Sequence, residues 1–242
     1  MHSIKQAPDK RDAVAGTAEH ARRIEWQTSP ALVAYPDALQ AMEDHVAAMI
    51  DGRAGEKIWL LEHPPLYTAG TGADKADLLS PQFPVYETGR GGKHTYHGPG
   101  QRIVYVMLDL NQRGQDLRKF VWNLEEWIIR ALARLDIAAG RRDDSDDRRV
   151  GLWVKSNADA VAGTAEHAAQ TDNKVAAIGI RVRKWVTYHG VAINVNPDLS
   201  HYAGIVPCGI KGHGITSLAQ LRPGTTMADI DAALQETFGD VF

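Results

Sequence analysis

A single cysteine, Cys208, stands in a chain of 242 residues, which excludes an intramolecular disulfide and leads us to expect a reducing, cytoplasmic setting. No apolar run approaches the ~20 residues of a membrane span, and the opening MHSIKQAPDKRDAVAG lacks the apolar centre of a signal peptide, so no membrane role is expected. A basic excess is missing too. With 27 Lys and Arg against 30 Asp and Glu the formal charge is -3, which gives no general attraction to nucleic acid or anionic lipid. Also absent are CxxC, HExxH, GxGxxG and GxxxxGK[ST], the spacings of common zinc, dinucleotide and P-loop sites. His63, His94, His97, His189 and His213 could converge with Cys208, but no ligand spacing links them and no metal is expected.

What is present is an ordinary globular composition, 44% hydrophobic and 24% charged, long enough to bury one sizeable core. Residues 1–23 show neither strand nor helix period and are expected to be a disordered extension, with one domain over 24–242. IEWQTS, KIWLLEHPP and the apolar run RIVYVMLDL predict strands, the last covered on both faces. A helix is predicted after Pro36 and Asp37, with Gly52 just past its end. The strongest helical signal follows Asp116, where Leu117, Phe120, Val121, Leu124, Trp127, Ile128, Ala131 and Leu135 form one stripe. VGLWV, KVAAIGIRVRKWV and GVAINVN predict three more strands, and a last helix runs from Met227 to about Phe238 with Thr226 and Asp229 at capping-box spacing. Strands and helices that do not strictly alternate predict an α/β or α+β fold. DAVAGTAEHA occurs twice, at Asp12–Ala21 and Asp159–Ala168, and the second copy falls in an expected surface insertion at about 155–173.

Two stretches concentrate chemistry. GRGGKHTYHGPGQR gathers five glycines around Arg90, Tyr96 and His97 directly before a strand, and glycines allow backbone N–H groups to approach a ligand closely. IVPCGIKGHGITSL holds Cys208 between Pro207 and Gly209. A lone cysteine is often only a small buried apolar residue. Its Pro-Gly flanks instead suit a nucleophile, with the Gly209 N–H placed to face an oxyanion. Such a thiol needs a cation or base, and His213, Lys211, His201, Lys174, His97 and His189 are all candidates that spacing does not separate.

LLEHPPLYTAG, RGGKHTYHGPGQ, KVAAIGIRV with YHGVAINV, and PCGI, taken in order over most of the chain, resemble the lipoyl(octanoyl) transferases, RGG-x-x-TYHGPGQ being the specific signature. The resemblance implies a single α/β domain of the biotin and lipoyl protein ligase type, a mixed sheet packed with helices. It also implies transfer of an octanoyl group from octanoyl-acyl carrier protein to a lysine of the lipoyl domains of 2-oxoacid dehydrogenases and of the glycine cleavage H protein, with no ATP, metal or other cofactor. By position, Cys208 corresponds to the acyl-thioester nucleophile and Lys174 to the lysine that lowers its pKa. Arg90, Gly91, Gly92, Lys93, His94, Thr95, Tyr96 and His97, with Ala177, Ile178, Gly179, Gly190, Val191 and Ala192, correspond to the acyl-substrate site. Lys93 and His94 fill positions that vary in the family, and the insertion directly precedes Lys174. Arg90, Lys93, Arg102, Arg181, Arg183, Lys184 and Lys211 are available to an acidic carrier surface. The rival readings are an ATP-dependent lipoate or biotin ligase, which would not need Cys208, and a non-catalytic module that binds acyl carrier or lipoyl domains.

Overall fold

The computed structural model describes residues 24–142, 150–156, 171–206 and 214–242. Within them the strands are β1 (Glu25–Thr28), β2 (Lys57–Leu61), β3 (Leu66–Ala69), β4 (Val85–Glu87), β5 (His94–His97), β6 (Gln101–Met107), β7 (Leu152–Ser156), β8 (Thr171–Arg183), β9 (Val186–Asn194) and β10 (Gly214–Ile215). The helices are α1 (Tyr35–Ile50), α2 (Leu117–Arg134), the single turn α3 (Leu218–Leu221) and α4 (Met227–Phe238). Both copies of DAVAGTAEHA lie outside the described residues, as do Pro207, Cys208, Gly209, Lys211 and His213.

A large sheet in the order β1-β2-β6-β9-β8-β10, with β7 also on β8, is accompanied by a small sheet, β4-β3-β5. It is mixed: β1–β2 and β10–β8 are parallel, while β2–β6, β6–β9, β8–β9 and β7–β8 are antiparallel. Side chains alternate across a strand, and β6 shows what that alternation accomplishes. Val104 and Val106 enter one core with Trp127, Ile128 and Leu234 of α2 and α4, whereas Ile103, Tyr105 and Met107 pack on the opposite face against Ala38, Met42 and Val46 of α1. Each large side chain so buried contributes ~1.5–3 kcal/mol. Trp127 also satisfies its indole, donating from Nε1 to the Leu234 carbonyl at 2.9 Å.

Helix starts follow local chemistry. Asp116 accepts from the Lys119 N–H to cap α2, and Thr226 and Asp229 close the capping box of α4. The expected strand KVAAIGIRVRKWV is interrupted: Lys184 and Trp185 take φ 48° and 64° and join β8 to β9 in a tight hairpin, with Arg183 opposite Val186. Two residues at positive φ mark a type I′ turn, which Asn-Gly normally announces and Lys-Trp does not. Of the expected insertion at about 155–173, residues 157–170 lie outside the described residues. The β7–β8 ladder runs from Leu152↔Ala176 to Ser156↔Thr171, so 155, 156 and 171–173 are paired strand. Among the described residues no helix is long and apolar enough to cross a membrane.

Candidate active site

A cavity of about 460 Å³ lies between the β8–β9 hairpin, β5 with its preceding loop, and the start of α2. Arg90, Gly91, Gly92, Lys93, His94, Thr95, His97, Ala177, Ile178, Gly179, Gly190, Val191, Ala192 and Lys174 all line it. The structure therefore brings together residues more than eighty positions apart in sequence. Tyr96 is the exception among the expected residues. Its ring turns away from the cavity, into a cluster with Tyr67, Tyr202 and Ile205, where its hydroxyl meets His201 Nδ1 at 2.8 Å.

The loop is shaped by Arg90, which is buried and folds back on its own backbone. Its Nη1 donates to Gly91 O at 2.9 Å, and Nη2 donates to Thr68 O at 3.0 Å, Thr68 Oγ1 at 2.6 Å and Lys93 O at 3.1 Å. A planar fork can serve several acceptors at once, and here they hold 90–93 in one curve. The curve docks on the hairpin through Gly91 N–H to Ile180 O at 3.0 Å. Contact is close enough that a Cβ on Gly179 would stand 2.8 Å from Arg90 Cδ and 3.0 Å from Gly91 O. Arg90 and Arg102 are thus unavailable to a carrier surface, a correction to the expectation: Arg102 is buried and forks onto Asp231 at 2.8 and 3.0 Å.

Behind the cavity runs a chain of neutral polar groups. Gln101 Nε2 donates to Asn194 Oδ1 at 2.9 Å, leaving its Oε1 to accept from His97 Nδ1–H at 2.8 Å. His97 Nε2 must then accept from the Thr68 hydroxyl at 3.1 Å, the hydroxyl that receives Arg90. Burial, with His63 and Arg90 nearby, holds the His97 pKa down at about 3, so the ring is neutral and its tautomer is set by its partners. His63 is neutral as well, pushed by burial to about 4, with contacts to Val33 O at 2.6 Å and the Tyr105 hydroxyl at 2.7 Å. His189, at φ 59°, stacks on Tyr188 and is held by burial at about 3. Three buried polar atoms of the cavity wall, Tyr35 Oη, His94 Nδ1 and His189 Nε2, have no hydrogen-bond partner among the described residues, so a ligand or water with matching donors and acceptors would relieve them.

Lys174 reaches the cavity through a defect in the β7–β8 ladder. Leu152 pairs with Ala176 but Trp153 pairs with Lys174, leaving Val175 unpaired in a β-bulge. Leu152, Val154, Val175 and Ala176 face the large core. Were Val175 paired in a regular ladder, Lys174, two positions from Ala176, would point into that core; the bulge reverses it onto the face of Trp153. There its Nζ lies 5.2 Å from the Trp153 ring centroid and donates to Val150 O at 3.0 Å. The Lys174 backbone carbonyl accepts from Thr216 N–H at 3.0 Å, and Ile215 is its register partner. Residues 207–213, which hold Cys208, Gly209, Lys211 and His213, lie outside the described residues; Val206 before them donates to Asp77 O at 2.7 Å.

Sequence reasoning missed Tyr35, Thr68, Tyr105, Leu117, Val121 and Val150 as parts of the wall. Leu117 and Val121 belonged to the apolar stripe of α2, and a stripe does not distinguish a core from a cavity. No cluster of three or more His, Cys, Asp or Glu side chains able to hold a metal ion occurs among the described residues.

Residues 35–239 match the lipoyl protein ligase A/B catalytic domain. The chain is 56% identical over 220 residues to an octanoyltransferase of Paramagnetospirillum magneticum, covering 90% of this chain and 97% of that one. It is 52% identical over 236 residues to an octanoyltransferase of Bartonella henselae, covering 97% and 92%. Among solved structures, lipoate-protein ligase A bound with ATP superposes with a TM-score of 0.64 at 13% identity, over 90% of this chain and 85% of that one. A putative lipoate protein ligase of T. acidophilum gives 0.62 at 13% identity, over 90% and 85%. At such identity the two structures establish the shared fold.

Proposed function

The chain belongs to the lipoyl protein ligase A/B catalytic-domain family and, within it, to the octanoyltransferases, and from that premise we propose that it moves an octanoyl group from octanoyl-acyl carrier protein onto a lysine of a lipoyl domain through a thioester on Cys208. The observation that carries the reading is the placement of Lys174: a buried amine delivered by a bulge to the wall of a cavity formed by the glycine loop and the β8–β9 hairpin.

The proposed cycle balances without a cofactor. Lys174 accepts the Cys208 proton or, as ammonium, stabilises the thiolate. The sulfur attacks the donor thioester, the new S–C bond replaces the old one, and the carrier thiol leaves with a proton; the Gly209 N–H is the proposed oxyanion donor. One thioester exchanged for another is nearly balanced in energy. The acceptor lysine then attacks as a free amine, loses a proton to Lys174, and expels Cys208 in forming a more stable amide. The cavity falls within the usual range for small-molecule sites, and the octanoyl methylenes contribute roughly 5 kcal/mol at about 0.8 kcal/mol each.

The test is transfer from octanoyl-acyl carrier protein to a purified lipoyl domain, with and without ATP. Transfer without ATP that disappears in Cys208→Ser and Lys174→Ala supports the reading. A requirement for ATP would mean a ligase instead, and wild-type rates in both variants would remove the dyad.

A further inference from the structure

Resting on the role just proposed for Lys174, we propose that Glu125 and Gly151 are positioning residues for its amine, acting through the single peptide group between Val150 and Gly151. The Gly151 N–H of that peptide donates to Glu125 Oε1 at 3.1 Å, and its carbonyl, on Val150, accepts from Lys174 Nζ at 3.0 Å. A peptide unit is planar and stiff, so a carboxylate that fixes the N–H also aims the carbonyl. Carboxylate at one end and amine at the other polarise the group in the same direction, which strengthens both hydrogen bonds.

Glu125 is otherwise an anomaly. It sits 9% exposed on α2, and a buried carboxylate is costly unless paired and hydrogen-bonded. Its second oxygen is held by Arg141 Nε at 3.2 Å, and Arg141 is fastened to the same helix through Nη2 to Trp122 O at 2.9 Å and Glu126 Oε2 at 3.0 Å. The transfer chemistry makes no direct use of this half-buried pair; its reach ends at the peptide that meets Lys174.

Gly151 supplies the space. Its φ is 128°, and a Cβ there would stand 2.5 Å from Lys174 Cε, 2.9 Å from Nζ and 2.7 Å from Ala176 O. Any side chain would therefore push the amine from its place and strain the turn.

The test compares Gly151→Ala, Glu125→Leu and Glu125→Gln with wild type in the transfer assay, alongside melting curves and the pH dependence of Cys208 alkylation by iodoacetamide. Expected for Gly151→Ala and Glu125→Leu are a roughly 10- to 100-fold fall in kcat with donor KM within about twofold, and an alkylation profile moved toward higher pH by about one unit as the amine leaves the thiol. Glu125→Gln keeps an acceptor for the Gly151 N–H and recovers part of the lost rate. If Gly151→Ala does not fold, the Leu and Gln pair carries the test. Folded variants with wild-type kcat and alkylation profile overturn the proposal, as does a Gln variant as impaired as Leu. Lys174→Met separates this from the dyad itself: if it alone shifts the profile, only the positioning role fails, and if it too leaves the profile in place, the dyad fails.

Discussion

Trp153 and Lys174 face one another across the β7–β8 ladder, the amine 5.2 Å from the indole centroid, because Val175 is skipped in the pairing. One unpaired residue decides whether the lysine faces the core or the cavity. Inserting one residue between Leu152 and Trp153 gives Val175 a partner, restores regular pairing and turns Lys174 toward the core, where an amine is poorly tolerated. We expect at least a ~100-fold loss of transfer. Val175→Ala, which keeps the bulge and removes two buried methyls, costs about 1–2 kcal/mol of stability with kcat preserved. Urea unfolding and steady-state kinetics on the two variants check this, and an active insertion variant would contradict it.

Two glycines of the hairpin should separate structure from binding. A Cβ on Gly190 would stand 1.9 Å from Val104 O, so Gly190→Ala must part β9 from β6 and is expected to destabilise by about 3 kcal/mol. Gly179→Ala presses instead on Arg90 and Gly91, and is expected to raise the KM for the acyl donor more than it lowers the melting temperature.

Arg90 is expected to tolerate no exchange for lysine. Its fork serves Gly91, Thr68 and Lys93 together, and a point charge on a flexible stem cannot. Arg90→Lys should reduce kcat/KM by roughly 10- to 100-fold, with near-wild-type helix content by circular dichroism.

Stability should depend on acid in a defined direction. His63 is held at about 4, and His97 and His189 at about 3, all below the ~6.5 of an unfolded chain. Between these values the unfolded chain binds more protons. The contribution is therefore fully present above pH ~6.5 and is lost as pH falls toward 3–4, by up to ~1.4 kcal/mol per pH unit for each histidine. Urea unfolding from pH 7.5 to 4.5 should show that slope, shallower in His63→Gln, and a flat profile would contradict it.

The elements with long periodic signals were legible: the α2 stripe, the α4 capping box and the buried run of β6 all follow from side-chain pattern. The three short strands β3, β4 and β5 were not, since LYTA, VYE and HTYH are too brief to show a period among their turns. The Lys184-Trp185 hairpin lacked the residues that usually mark positive φ. At the site, chemistry-bearing residue types drew attention to Arg90, His97 and Lys174, but which way a side chain points depends on register. Tyr96 turning outward on β5 and Lys174 turning inward past Val175 are both outcomes of pairing with distant strands. Glu125 carried a weak signal, a charge beside an apolar stripe, that only its partner Gly151 makes readable.

The most direct measurement of the central claim is an intact mass of the protein after incubation with octanoyl-acyl carrier protein in the absence of ATP and acceptor. We expect one octanoyl adduct, removed by hydroxylamine, absent in Cys208→Ser and formed more slowly in Lys174→Met. No adduct on the wild-type chain, or an adduct that persists in Cys208→Ser, would contradict the account.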